Sequence, residues 1–145
     1  MVKVRILLVV LAAFLQLTNF FNLFGVKPNF SLAVLAAIAT SGIIFRDYLL
    51  LALLSAIFLK FNPGFDAGIL AFAVTAFAVF AANNYLPWNR YINNIILIVA
   101  ATLLLQILLV PIRINLPEVI YNVILGVVVL MILPKDYGQE KRFKF

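Results

Sequence analysis

Long apolar blocks, separated by short stretches that carry Pro, Asn or charged residues, make up most of this chain. The blocks are continuous and do not alternate between apolar and polar positions, so they predict helices and not β-strands. A helix that crosses a bilayer needs about 20 mostly apolar residues. We therefore expect an all-α, polytopic transmembrane helical bundle. Its six membrane helices are predicted at residues 6–24, 29–44, 48–61, 65–82, 92–110 and 118–133.

The composition indicates that lipid is the main solvent of this chain. Hydrophobic residues make up 66% of it and charged residues 11%, and the mean hydropathy is +1.18. A typical soluble domain is about half apolar and a quarter charged. A chain of 145 residues with so little polar material cannot cover a water-facing surface. We expect a single transmembrane domain over residues 1–134, followed by a short basic cytoplasmic tail over 135–145.

The third predicted helix is short, and the distribution of basic residues decides whether it crosses. Its fourteen residues reach about 21 Å, less than a hydrocarbon core of ~30 Å. With six crossings and an inside N-terminus, eight Lys and Arg lie inside and three outside. If the third segment turned back, five would lie inside and six outside. The positive-inside rule favours the first arrangement, which places both termini in the cytoplasm.

The N-terminus is similar to a secretory signal, because Lys3 and Arg5 precede an apolar run. That run, over residues 6–24, is longer than the ~7–15 apolar residues of a typical signal, and no small-residue cleavage site follows it. We therefore expect a retained first span. A cleaved signal is the alternative.

The inventory of reactive side chains is small. The chain has no Cys and no His, which excludes disulfides, thiol nucleophiles and imidazole chemistry, and we expect no metal or other cofactor. All five acidic residues lie at predicted interfaces or in the tail. Asp66 and Glu118 are expected to act at helix starts, where a carboxylate stabilises the positive end of the helix dipole. An integral membrane enzyme that uses these two carboxylates is a minor alternative.

The net charge of +6 raises the question of the partner. In a soluble protein it would suggest nucleic acid. Here the basic residues lie at span ends and at the termini, so anionic lipid headgroups are the expected partner. We expect the chain to bind no nucleic acid.

A few polar residues lie inside the predicted spans. Gln16 and Asn19 are three residues apart and share one face of the first helix, and Thr102 and Gln106 are four apart on the fifth. An amide in hydrocarbon is costly unless it is hydrogen-bonded, so these side chains must face other helices or a cavity. They are expected to form hydrogen bonds between helices. A pocket for a polar small molecule is the alternative.

The segment over residues 15–29, LQLTNFFNLFGVKPN, resembles a signature of the rod shape-determining protein MreD family. That signature has a Gln in the second half of the first span, then Gly-x-x-Pro followed by Asp or Asn. Gln16, Gly25, Pro28 and Asn29 match it position by position. The chain length, six spans and inside termini also agree with the family.

The resemblance covers roughly the first eighty residues of the chain. Farther along, the family often has small residues at four-residue spacing, then an Asp and a later Gly. Ala52, Ala56 and Gly68 fit this pattern. Lys60 stands where the family often has the Asp, so the role of that acid is not carried over to this chain.

The resemblance implies a non-enzymatic membrane subunit of the bacterial cell-elongation complex, which determines rod shape through peptidoglycan synthesis. Such proteins lie in the inner membrane with an MreC-like protein, the actin-like MreB and wall synthases. Small residues at four-residue spacing support close packing between helices or with such partners. They are Ala33 with Ala37, Ala52 with Ala56, and Ala78 with Ala82.

The fold of this family is similar to that of the S-components of energy-coupling-factor transporters, which bind vitamins. This similarity defines the alternative function, a small-molecule binding subunit of such a transporter. Binding would need a polar cavity that opens outward. Gln16, Asn19 and Gln106 are the candidates to line it.

Overall fold

The computed structural model describes residues 2–18, 22, 25–59, 66–109 and 114–133. Within these ranges the chain is all-helical, with six α-helices and no β-strand, as the sequence predicts. The helices are α1 (Val2–Leu17), α2 (Phe30–Thr40), α3 (Phe45–Leu59), α4 (Ala67–Asn83), α5 (Arg90–Leu109) and α6 (Leu116–Ile132). Asn19, Lys60 and the tail over 135–145 lie outside the described residues.

The boundary between α2 and α3 differs from the prediction. α2 ends at Thr40 and not at position 44, because the chain turns at Gly42, whose φ of +83° is a left-handed conformation that glycine adopts readily. α3 then begins at Phe45, earlier than the predicted position 48. Its first turn includes Asp47, and a carboxylate stabilises that end of a helix.

α2 lies at the centre of the described structure. Each residue from Phe30 to Ala39 is at most 6% exposed, and the helix packs against all five others. The other helices form an open ring around it, in the order α1, α3, α4, α5, α6. α1 and α6, at the two ends of this ring, make no packing contact within the described ranges. Four Ala residues in α2 let its neighbours approach closely.

The outer faces of the surrounding helices are apolar. Leu7, Phe14, Ile57 and Met131 are each more than 60% exposed. Among the described residues one helix, Arg90–Leu109, is both long and apolar enough to cross a membrane, with a mean hydropathy of 2.3. α2, α4 and α6 are apolar but shorter. Exposed apolar surface of this extent marks contact with lipid or with other proteins.

Arg5 is buried, although the sequence places it among the basic residues of the membrane surface. It is only 5% exposed, and its Nη2 donates a hydrogen bond to Ser41 Oγ at 3.0 Å. Ser41 follows the last turn of α2, where the carbonyl ends of the helix carry a partial negative charge. The guanidinium therefore joins the beginning of α1 to the end of the central helix.

Asn94 on α5 is fully buried, and neither polar atom of its side chain has a hydrogen-bond partner among the described residues. An unpaired buried polar atom costs about 1–3 kcal/mol. We therefore expect Asn94→Leu, which keeps a similar volume, to raise the free energy of unfolding by about 1–3 kcal/mol. Denaturant unfolding of the purified protein in detergent micelles measures the change.

The matched control for this change is Asn84→Leu, which replaces an exposed Asn just after α4. It should alter the free energy of unfolding by less than about 0.5 kcal/mol. If Asn94→Leu destabilises the protein, the amide of Asn94 has a partner in solution, such as an ordered water, and the prediction is wrong.

Candidate functional site

α5 and α6 face each other along two rows of residues with four-residue spacing, which places each row on one helix face. We call this contact the α5–α6 seam. Its members are Asn94, Ile98, Thr102 and Gln106 on α5, and Glu118, Asn122 and Gly126 on α6. The helices run in opposite directions, so the last residue of the first row meets the first residue of the second.

The seam contains two hydrogen-bonded pairs. Gln106 Nε2 donates to Glu118 Oε2 at 2.9 Å, and one helical turn away Asn122 Nδ2 donates to Thr102 Oγ1 at 3.0 Å. Thr102 and Asn122 are at most 1% exposed. Thr102 and Asn122 therefore each provide a hydrogen-bond partner for a polar group that would otherwise be buried without one. Thr102 and Gln106 thus form the hydrogen bonds between helices that the sequence predicts.

Gly126 lies at the next level of the seam and has a steric role. A Cβ atom at this position would clash with Ile98 Cδ1 and lie 3.4 Å from Asn94 Nδ2. The missing side chain therefore allows α5 and α6 to approach closely at this point.

Asn29 connects the seam to the central helix. Its backbone N–H donates to Asn122 Oδ1 at 2.7 Å, and its own Oδ1 accepts a hydrogen bond from Leu32 N at 3.0 Å, which caps α2. The next residue, Phe30, donates its backbone N–H to Gln16 Oε1 at 2.8 Å. We call Gln16, Asn29 and Asn122 the amide hub, because together they hold α1, α2 and α6.

Gly25 and Pro28 shape the chain that leads into the hub. Gly25 has a φ of +78°, a left-handed conformation that favours glycine. Pro28 is buried directly before Asn29, and its ring fixes the backbone ahead of the helix. Both residues therefore have conformational roles.

A cavity of about 480 Å³ opens beside the amide hub. It lies where the ends of α1 and α5 meet the beginnings of α2 and α6. Its volume falls in the range of about 300–1,000 Å³ that is usual for small-molecule sites. The cavity is lined by Gln16, Asn29, Leu105, Gln106, Leu109, Asn115 and Glu118.

Gln106 holds one wall of the cavity in place. Its Oε1 accepts a hydrogen bond from Asn115 N at 3.0 Å, and its Nε2 donates to Asn115 O at 3.3 Å as well as to Glu118. These contacts tie the last turn of α5 to the start of α6. The side-chain amide of Asn115 makes no cap hydrogen bond, and Asn115 is one of the residues that line the cavity.

The structure brings three of the six predicted site residues to the cavity, namely Gln16, Asn29 and Gln106. Gly25 and Pro28 lie outside it, and Asn19 lies outside the described residues.

Glu118 is in the first turn of α6, as expected, but it also lines the cavity, which the sequence does not predict. Asp66 does not line the cavity and caps α4 by accepting a hydrogen bond from Gly68 N at 2.7 Å. The structure therefore does not bring the two carboxylates together as a pair in this cavity.

Sequence reasoning missed Asn115 and Asn122 as well. The available signal for Asn122 was its four-residue spacing from Glu118 and Gly126 within an apolar block. Among the described residues, no group of three or more acidic side chains is placed to hold a metal ion.

The chain was compared with protein-family models, with curated proteins and with solved structures. No protein-family model, no curated protein and no solved structure matches it. The amide hub, the seam and the cavity are therefore the features from which a function is proposed.

Proposed function

We propose that this chain is a non-enzymatic, multi-pass subunit of the bacterial cell-elongation complex in the inner membrane. One observation carries the proposal. Gln16, Pro28 and Asn29, through which the sequence resembles the MreD family, are adjacent in space at the amide hub or lead directly into it. A signature that joins α1, α2 and α6 by hydrogen bonds has a structural purpose, which is consistent with a protein that acts by helix packing.

The apolar outer faces support the membrane part of the proposal, in which all six helices cross and both termini are cytoplasmic. α2 has only 11 residues, about 16 Å of helix, yet every helix around it shields it from lipid. A helix that contacts only protein does not need to match the thickness of the hydrocarbon core. The short central helix is therefore compatible with a six-span bundle.

The proposed mechanism is docking of partner helices on the apolar ring. α1, α3, α4, α5 and α6 present exposed apolar side chains, and these can contact either lipid or the spans of an MreC-like protein and of wall synthases. Basic residues near the inner end, such as Lys3 and Arg46, fit anionic lipid headgroups.

Co-purification from native membranes tests this function. We expect a tagged copy, solubilised in a mild detergent, to recover an MreC-like protein and a wall synthase, because their spans would dock on the apolar ring. Mass spectrometry of the eluate identifies them. The same tag on an unrelated multi-pass protein of that membrane is the control. Recovery of a transport ATPase without any wall synthase would contradict the proposal.

The cavity favours a second candidate function, a small-molecule binding subunit of an energy-coupling-factor transporter. Amide groups converge on a cavity of about 480 Å³, which is the feature such a subunit requires. In the proposed topology this cavity opens on the outer side of the membrane. Recovery of a transport ATPase in the same co-purification would support this candidate.

A further inference from the structure

Glu118 gives the cavity a negative charge. Among the lining residues that the structure describes, it is the only one with an ionisable side chain. The carboxylate is half-buried, and its Oε2 accepts the hydrogen bond from Gln106. Its Oε1 makes no hydrogen bond to any described residue. A carboxylate held partly out of water in this way attracts a cationic donor more strongly than it would on an open surface.

The rest of the lining offers amide groups. Gln16 uses its Oε1 to hold Phe30, and Asn29 uses its Oδ1 to cap α2, so both amides are held in fixed positions. The Nε2 of Gln16 and the Nδ2 of Asn29 make no hydrogen bond to any described residue, so both remain available to donate. These donors suit neutral acceptor atoms of a ligand, while Leu105 and Leu109 provide apolar contact.

We propose that this cavity binds a small organic cation, whose ammonium, amidinium or guanidinium group contacts Glu118. The side-chain amides of Gln16 and Asn29 donate hydrogen bonds to its acceptor atoms, and its apolar part packs on Leu105 and Leu109. Binding of this cation requires only the cavity, so it is expected whether the chain assembles with wall synthases or with a transport ATPase.

An anionic ligand fits the site poorly. Amide N–H groups can donate hydrogen bonds to an anion. Glu118, however, would repel an anion at short range, and no described lining residue supplies a compensating positive charge. Lys27, although it is close in sequence to Asn29, is not among the lining residues. The site is therefore expected to distinguish ligands by the sign of their charge and to favour cations.

Three molecules of the same shape test this selection on the purified full-length chain in detergent micelles. Benzamidine carries a positive charge, benzamide is neutral and benzoate is negative. We expect benzamidine to bind with a dissociation constant in the millimolar range and at least about tenfold more tightly than benzamide. Benzoate should show no saturable binding. Isothermal titration calorimetry or ligand-detected NMR measures the three affinities.

Two variants locate the binding. Glu118→Gln keeps an acceptor for Gln106 and removes the charge, so the preference for benzamidine should fall to within about twofold of benzamide. Asp47→Asn removes a carboxylate near the other end of the bundle and should leave the affinity for benzamidine unchanged.

The inference is overturned if benzamidine shows no saturable binding, if benzamide or benzoate binds as tightly, or if Glu118→Gln keeps the preference. Loss of binding in Asp47→Asn would also overturn it, because the site would then lie elsewhere. Co-purification with Glu118→Gln separates this result from the proposed function. If this variant still recovers an MreC-like protein and a wall synthase, the proposed elongation function stands even when the cavity proposal fails.

Discussion

Asn122→Leu is expected to lower the free energy of unfolding by about 2–4 kcal/mol, because two partners then lose their hydrogen bonds. Asn122 accepts from the backbone N–H of Asn29 and donates to Thr102 Oγ1, and its side chain is fully buried. Leu has a similar volume, so the loss of unfolding free energy comes from the unpaired polar groups and not from a cavity. Denaturant unfolding in detergent micelles measures the effect.

A double-mutant cycle with Thr102→Val separates the two contacts. Val keeps the shape of Thr and removes the hydroxyl, so the coupling between positions 102 and 122 gives the contribution of that hydrogen bond. Measured values for such bonds in membrane proteins average about 0.6 kcal/mol and reach about 1.7. The remaining loss is assigned to Asn29 N. A loss below about 1 kcal/mol in Asn122→Leu would contradict the amide hub as a major source of stability.

Gly126→Leu is expected to cost about 3 kcal/mol, the upper part of the usual range for overpacked cores. The new side chain would occupy the space of Ile98, which is fully buried and cannot move aside freely. The two helices must then separate, and this weakens the hydrogen bonds farther along the seam. The same unfolding measurement detects the loss.

Val128→Leu is the matched control, because it enlarges an exposed side chain on the same helix. It should change the free energy of unfolding by less than about 0.5 kcal/mol. Gly126→Ala should fall between the two, since only a single methyl group meets Ile98. If Gly126→Leu is as stable as the control, α5 and α6 do not pack as closely as described.

The sequence predicts the helices well and their arrangement poorly, for a physical reason. Each apolar block is long enough to identify a helix, and Pro and Asn mark most of the breaks. The blocks are apolar on nearly all sides, so their pattern does not show which face turns inward. Nothing in the sequence of α2 therefore marks it as the helix that all five others surround.

The cavity was predictable in part. Gln16 and Gln106 were identified because an amide inside a span needs a partner, and Asn29 through the family resemblance. Glu118 and Asn115 have a sufficient local explanation at the start of α6, so nothing prompted a second role for them. Their contacts with Gln106 depend on how closely α5 and α6 approach, and the sequence alone does not give this distance.

The central position of α2 constrains the order in which the fold can be completed. Of the six described helices, the ribosome produces α2 second and α6, one of its main neighbours, last. The hydrogen bond between Asn29 and Asn122 joins residues that are 93 positions apart. Contacts of such long sequence separation form slowly, because a large loop must close first. Until α6 has been synthesised, the nascent chain has an unfinished core, so the fold cannot be completed before α6 has left the ribosome.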